Sequence, residues 1–232
     1  MTSGLPGTPA HPLATRLRMA GAAAAAAAVV AGLAGGCARV PGVYVYESAE
    51  QAQQSDAKFD AVSYVDGVWA SKVVPTVHDK AMDVPTLLAA LKADPAGTGP
   101  KYGRQAAAGG PYSYLVKGEG TVTDVSTAPT GPVTVEVAGP DGTTYPVTIS
   151  TGPVIAGTAL RDAVGFIDFS QFTNQLDYAD VSTQLNNRVK SEVVGKIDKA
   201  SLKGKRVTFA GAVTALGGTP ASVVPTELAV AP

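Results

Sequence analysis

The sequence predicts an α+β fold in which an antiparallel sheet is interrupted by one long helix and preceded by a small helical region. Three observations carry this prediction. Apolar residues recur at helical spacing as far as Leu91, then at every second position from Val122 to Ile149; the helical period returns from Leu160 to Val193, and two strand-like runs follow. Clusters of Gly, Pro and Asp separate these stretches. The chain has one cysteine in 232 residues, so no internal disulfide can support it and the fold rests on its apolar core.

The first helix is predicted from about Asp56, with Ser55 as its N-cap. Phe59, Val62, Val65 and Trp69 share one face, and Val73-Val74-Pro75 ends it. A second helix starts at Asp83, carries Leu87, Leu88 and Leu91, and stops at Asp94-Pro95. Ala96 to Pro111 is rich in Gly, Ala and Pro and reads as a loop or hinge. A strand containing Val122 and Val125 follows Gly118 and Gly120. Val133-Thr134-Val135-Glu136-Val137 alternates as a second strand. The turn Gly139-Pro140-Asp141-Gly142 joins it to Tyr145, Val147 and Ile149, and Pro146 marks that third strand as an edge or a bulge.

Leu160 to Ile167 reads as a short helix. Phe169, Phe172, Leu176, Ala179, Leu185, Val189 and Val193 then form a broad apolar face, on which a charge at Leu176 is expected to unfold the domain. Val207-Thr208-Phe209 and Val223-Val224 are strands separated by Gly217-Gly218. The order of three strands, helix and two strands is that of an oligonucleotide/oligosaccharide-binding (OB) barrel. The expectation is therefore a five-stranded OB-like antiparallel barrel with an inserted helix, spanning residues 111–232. A helical N-terminal subdomain of residues 56–110 precedes it or packs on its outside.

Residues 1–36 read as a signal peptide. Arg16 and Arg18 give a positive region, with Leu17 between them, so there is no twin-arginine pair. Ala20 to Leu33 is apolar but shorter than the roughly 20 residues a spanning helix needs. Leu33-Ala34-Gly35-Gly36-Cys37 resembles a bacterial lipobox, in which small residues precede a cysteine that is acylated and becomes the first residue of the mature chain. Ala34 stands where leucine is usual, with Leu33 one position earlier. The alternative is a plain signal peptide cut between Ala34 and Ala38, leaving a free thiol. Residues 37–55 would form a lipidated tether, within which Val43-Tyr44-Val45-Tyr46 could pair as a short strand. Several acyl chains on Cys37 would anchor firmly, at about 0.8 kcal/mol per buried methylene.

A net charge of −1 and a charged fraction of 16% argue against a nucleic-acid partner, whose phosphates call for a basic face. The densest basic stretch, Lys199, Lys203, Lys205 and Arg206, is short and reads as a solvated edge. Beyond the leader there is one histidine, His78, in a predicted loop with Asp79 and Lys80. No nucleophile elbow or phosphate loop accompanies it, and neither a cofactor nor a metal is expected. Asp162 and Asp168 could act as paired carboxylates. Arg161-Asp162 with Asn174-Gln175 is the densest polar cluster on an ordered region. It reads as a site for a partner or carbohydrate, with Trp69 as an apolar member and Gly157 to Gln175 as the contact surface; alternatively these groups satisfy backbone, and Trp69 is a core anchor.

Several stretches resemble an uncharacterised family of predicted periplasmic lipoproteins. They are Gly152-Pro153-Val154-Ile155-Ala156-Gly157-Thr158-Ala159-Leu160-Arg161-Asp162-Ala163, then Phe169, Phe172-Thr173-Asn174-Gln175, Tyr178-Ala179 and Leu185-Asn186. Upstream, Phe59-Asp60-Ala61, Tyr64-Val65, Trp69, Tyr102-Gly103 and Gly118-Glu119-Gly120-Thr121-Val122 also match. The resemblance implies lipid anchoring, a barrel-plus-helices layout, and association with sugar uptake, because such genes are similar to those beside sugar ATP-binding-cassette (ABC) transporters. It implies no activity. The expectation is a non-enzymatic, membrane-anchored accessory lipoprotein exported to the extracytoplasmic side. It would contact transporter components or a carbohydrate; the alternative is an envelope enzyme acting on glycans through carboxylates.

Cys37→Ser is expected to abolish acyl labelling and move the protein from the membrane to the soluble fraction, read by metabolic lipid labelling and fractionation. A mutant that stays on the membrane contradicts anchoring at this residue.

Overall fold

A computed structural model describes residues 59–128, 131–140, 142–216 and 218–231. Ser55, Cys37 and the Val43–Tyr46 segment lie outside the described residues.

Helix α1 (Ala61–Val68) starts later than the sequence reading placed it. Asp60 is its N-cap, and the carboxylate accepts from the amides of Val62 (3.0 Å) and Ser63 (3.2 Å). The helix does not stop at Pro75. A π turn over Trp69–Val73, closed by the Val74 amide on the Trp69 carbonyl, leads directly into α2 (Val74–Lys80). Proline has no amide to bond, and the wider turn places Pro75 where none is needed. Val65, Trp69, Val73 and Val77 are buried, whereas Val62 is 51% exposed and off the apolar face. His78 sits near the C-terminal end of α2, not in a loop.

Strand β1 (Met82–Asp83) precedes α3 (Val84–Ala93), which buries Leu87 and Leu91 as expected. The stretch read as a hinge contains a further helix, α4 (Pro95–Tyr102). Asp94 accepts from the Gly97 amide (2.9 Å), and Pro95 occupies the first turn. An Asp-Pro start outweighs the poor helix propensity of the glycines that follow.

The sheet is built on β2 (Tyr112–Val125), which is far longer than its recognisable second half. It pairs antiparallel with β5 (Arg206–Leu216) from Tyr112 to Thr121 and with β3 (Val133–Ala138) from Thr121 to Val125. Strand β4 (Thr144–Ile149) pairs with β3, and Pro146 lies on that edge strand. Strands β6 (Thr219–Pro220) and β7 (Val224–Val230) both pair with β5. Among the described residues the sheet thus has seven strands, two of them only two residues long, in place of the five expected, and no continuous ladder closes it. Among the described residues β4 meets the chain just before β7 at one parallel bridge, Ile149↔Val223, supported by Ser150 N to Val223 O and Val223 N to Thr148 O (both 2.8 Å).

Between β4 and β5 lie α5 (Ala159–Val164), a 3₁₀ turn (Phe169–Gln171), α6 (Gln175–Glu192) and two more 3₁₀ turns (Val194–Lys196 and Lys199–Leu202). The buried face of α6 is Val181, Ser182, Leu185, Asn186 and Val189, so Leu185, Val189 and, at the helix end, Val193 are buried as expected, whereas Ala179 is exposed. Leu176 is 78% exposed. Lys199 is no solvated edge cation, because its ammonium donates to the carbonyls of Ser126 (2.7 Å) and Gly131 (2.6 Å). The helices between Ala61 and Tyr102 share one apolar core with the sheet, and Phe59–Pro232 is a single compact unit.

Leu176→Asp is therefore expected to melt like the parent, while Leu185→Ala, which opens a cavity in the core, lowers the unfolding free energy by about 2–5 kcal/mol in urea titrations. A severe loss for Leu176→Asp contradicts the register of α6.

Candidate functional site

Helix α5 is six residues long, and nearly all of it is buried, including Arg161 at 7% exposure. A guanidinium can sit there because every side of it is engaged. Its Nε (2.8 Å) and Nη2 (2.7 Å) reach Asp162 Oδ1, and Nη1 donates to the Tyr178 carbonyl (3.2 Å). Its plane lies over the Tyr178 ring, with Cζ 3.6 Å from the centroid. The second oxygen of Asp162 accepts from Thr158 Oγ1 (2.6 Å). This group ties α5 to the first turns of α6. Arg161 is turned inward and braces the site, while Asp162, bonded to it, borders the cleft.

Beside the brace lies a polar cleft of about 250 Å³, lined by Arg104, Gln105, Asp162, Gly165, Asp168 and Tyr178 among others. Backbone bonds to Ser113 in both directions (2.9 and 2.8 Å) hold Arg104 in place. Its side chain crosses Gly165, where φ is +74° and a Cβ would collide with the guanidine, so the position suits only glycine. Among the described residues Arg104 is in no ion pair. Gln105 is fixed by a bond to the Gly110 carbonyl (2.6 Å).

Asp168 caps the 3₁₀ turn through the Ser170 amide (2.9 Å), and the Ser170 side chain and amide together hold its carboxyl below the usual range. Burial pushes the Tyr178 phenol up. A general acid needs a carboxyl shifted the other way, and both oxygens of Asp162 are already engaged. Arg104 and Asp168 can still bind a polar group of either sign. Among the described residues no set of three or more His, Cys, Asp or Glu could hold a metal ion.

The other sequence candidates fall elsewhere. Asn174 is the N-cap of α6, accepting from the Asp177 amide (2.9 Å) and donating to its carboxylate (3.0 Å). Gln175 is the exposed first residue of the helix. Trp69 is 4% exposed, and its indole N–H donates to Glu192 (3.1 Å), so it is a core anchor and offers no face to a ligand. Cys37 lies outside the described residues. Not anticipated was an aromatic cluster in which Phe172 contacts Phe59 (5.2 Å), Tyr64 (5.5 Å) and Tyr178 (5.4 Å), with Phe169 against Tyr178 (5.6 Å). At its margin Phe169 is 42% exposed. Phe169 and Leu176, before and after Asn174 in the chain, are both exposed apolar side chains. Arg104 also escaped the reading, because only the fold brings it to α5.

Arg161→Ala strands a buried carboxylate and is expected to cost about 3–5 kcal/mol of stability. Asn174→Ala, which removes only a cap, is expected to cost about 1 kcal/mol. Equal, small losses in denaturant unfolding for both would contradict the brace.

The family described as "Predicted periplasmic lipoprotein (DUF2291)" matches residues 27–229. No curated protein matches the chain. Among solved structures, the chain is similar to an OB-fold protein from Thermotoga maritima, with 21% identity and a TM-score of 0.61, over 75% of this chain and 99% of that one. That likeness shows an OB-like fold. The match over residues 27–229 takes in the small-residue run and Cys37, and this chain belongs to the family of predicted periplasmic lipoproteins, exported and held by lipid on the extracytoplasmic side of the membrane.

Proposed function

We propose that the protein is a non-enzymatic accessory lipoprotein that works by contact at the outer face of the membrane, with components of a sugar ABC transporter as its partner. The observation that carries the contact role is Phe169, exposed next in the chain to Asp168 and packed on Tyr178 of the polar cleft, with Leu176 exposed on the first turn of α6. An apolar patch with a polar rim is the anatomy of a protein interface. Anchoring on the membrane raises the local concentration, so weak contacts suffice. The transporter itself is supported by the family resemblance alone. An enzyme acting on glycans is the second reading, favoured by Asp162 and Asp168 bordering one cleft. The lowered Asp168 carboxyl and the fully engaged Asp162 weigh against it.

Phe169→Ser with Leu176→Ser is expected to reduce crosslinking to transporter subunits in native membranes at unchanged melting temperature. Undiminished crosslinking sinks the contact surface, and glycan turnover by the purified protein sinks the non-enzymatic reading.

A further inference from the structure

Strand β7 is hydrogen-bonded along one side. Its pairing with β5 runs from Val207↔Val230 to Ala210↔Glu227, and the Ala231 amide donates to the Arg206 carbonyl (2.8 Å). Bonded and non-bonded pairs alternate along an antiparallel ladder. The amides and carbonyls of Leu228 and Val230 therefore point away from β5. Among the described residues β4 reaches this edge only at the Ile149↔Val223 bridge, which precedes Leu228 in the chain. Among the described residues no backbone partner meets the outer groups of Leu228 and Val230.

A groove of about 430 Å³ lies before this edge. Its far wall includes Val193, Ile197 and Leu202, from α6's end and the turns after it, and Val230 is 47% exposed at the margin. Such an edge has room for an added strand of about three to five residues. The charged lining is Glu192, Asp198 and Glu227 against Lys196, an acidic excess. Glu192 is already paired with Arg188, which leaves Asp198 and Glu227 as the carboxylates that would greet a newcomer.

We propose that the outer edge of β7 takes up an extended segment of a partner protein as an added strand, one with apolar residues at alternate positions and Lys or Arg at its flanks. The unmet main-chain groups supply the affinity and the groove supplies the side-chain choice. This surface uses neither Phe169 nor Leu176, and the proposal stands whether or not the transporter reading holds.

The test uses the full lipoprotein in detergent micelles and the blocked peptide Lys-Val-Thr-Val-Thr-Lys at millimolar concentration. Hydrogen exchange at Leu228 and Val230 is expected to slow by about tenfold or more, with no change from Phe169 to Gln175. Val230→Pro removes an outward amide and no bond to β5, so it should fold as before and lose that protection. Should Val230→Pro destabilise the sheet, Glu227→Lys serves instead, and it should weaken the Lys-flanked peptide while strengthening its Glu-flanked counterpart. Absent protection, protection that survives these substitutions, or self-association that already protects the edge without peptide would each overturn the proposal, the last by making a second copy the occupant.

Discussion

Strand β2 can serve as the spine of the sheet only because Gly118 and Gly120 have no side chains. The strand is 14 residues long and touches β1, β3 and β5. At Gly118 a Cβ would run into the Phe209 ring, and at Gly120 it would meet the Glu136 backbone. Close approach at these two points lets the strand keep β5 on one edge while it passes from β1 to β3 on the other. Had Gly120 carried a methyl group, the hairpin of β3 and β4 could not lie where it does. Through β4 the bridge at Val223 would be lost too, the point at which, among the described residues, the open sheet meets itself.

Legibility followed burial. The strands β3 and β4 show one face to the core and one to solvent, and their alternation stands out in the sequence. The first half of β2 is covered on both sides, from Ser113 to Val116, and so has no period to read. Helix α4 was hidden by its glycines and by Pro100, although Asp94-Pro95 carried its start signal. In α6 the predicted face holds at Leu185, Val189 and Val193 and fails at Leu176 and Ala179, because a single apolar residue weighs as much as any other when only spacing is available. At the site, the chemistry of Arg161 and Asp162 was visible and their direction was not. A sequence shows that a cation and a carboxylate are neighbours; only packing decides which way they point.

The buried pair has a second effect. A charged pair of this kind gains little stability over apolar residues of the same shape, but it tolerates few arrangements. With Tyr178 stacked above and Thr158 bonded below, the brace sets where α5 ends and α6 begins. The edge of the cleft formed by Asp162 and Tyr178 is thereby fixed before any partner arrives. Arg104 and Asp168 stand at the margin on shorter supports, a backbone bridge and a turn cap. The site thus combines a rigid floor with side chains that retain freedom to adjust, a division suited to recognition.

The π turn of the first helix leaves a trace in the spacing of the chain. Val65, Trp69, Val73 and Val77 are all buried, and they follow one another at steps of four. An α-helix turns in about 3.6 residues, so steps of four drift around the axis by roughly 40° each. Across three such steps an unbroken α-helix would carry its last valine about 120° away from its first. A turn closed by bonds to the fifth residue takes up more chain, and it cancels part of that drift in the middle of the run. A strict four-residue apolar repeat is thus the imprint of a widened turn, and a chain one residue shorter between Trp69 and Val73 could run as an unbroken α-helix, its last valine only about 20° around the axis from its first.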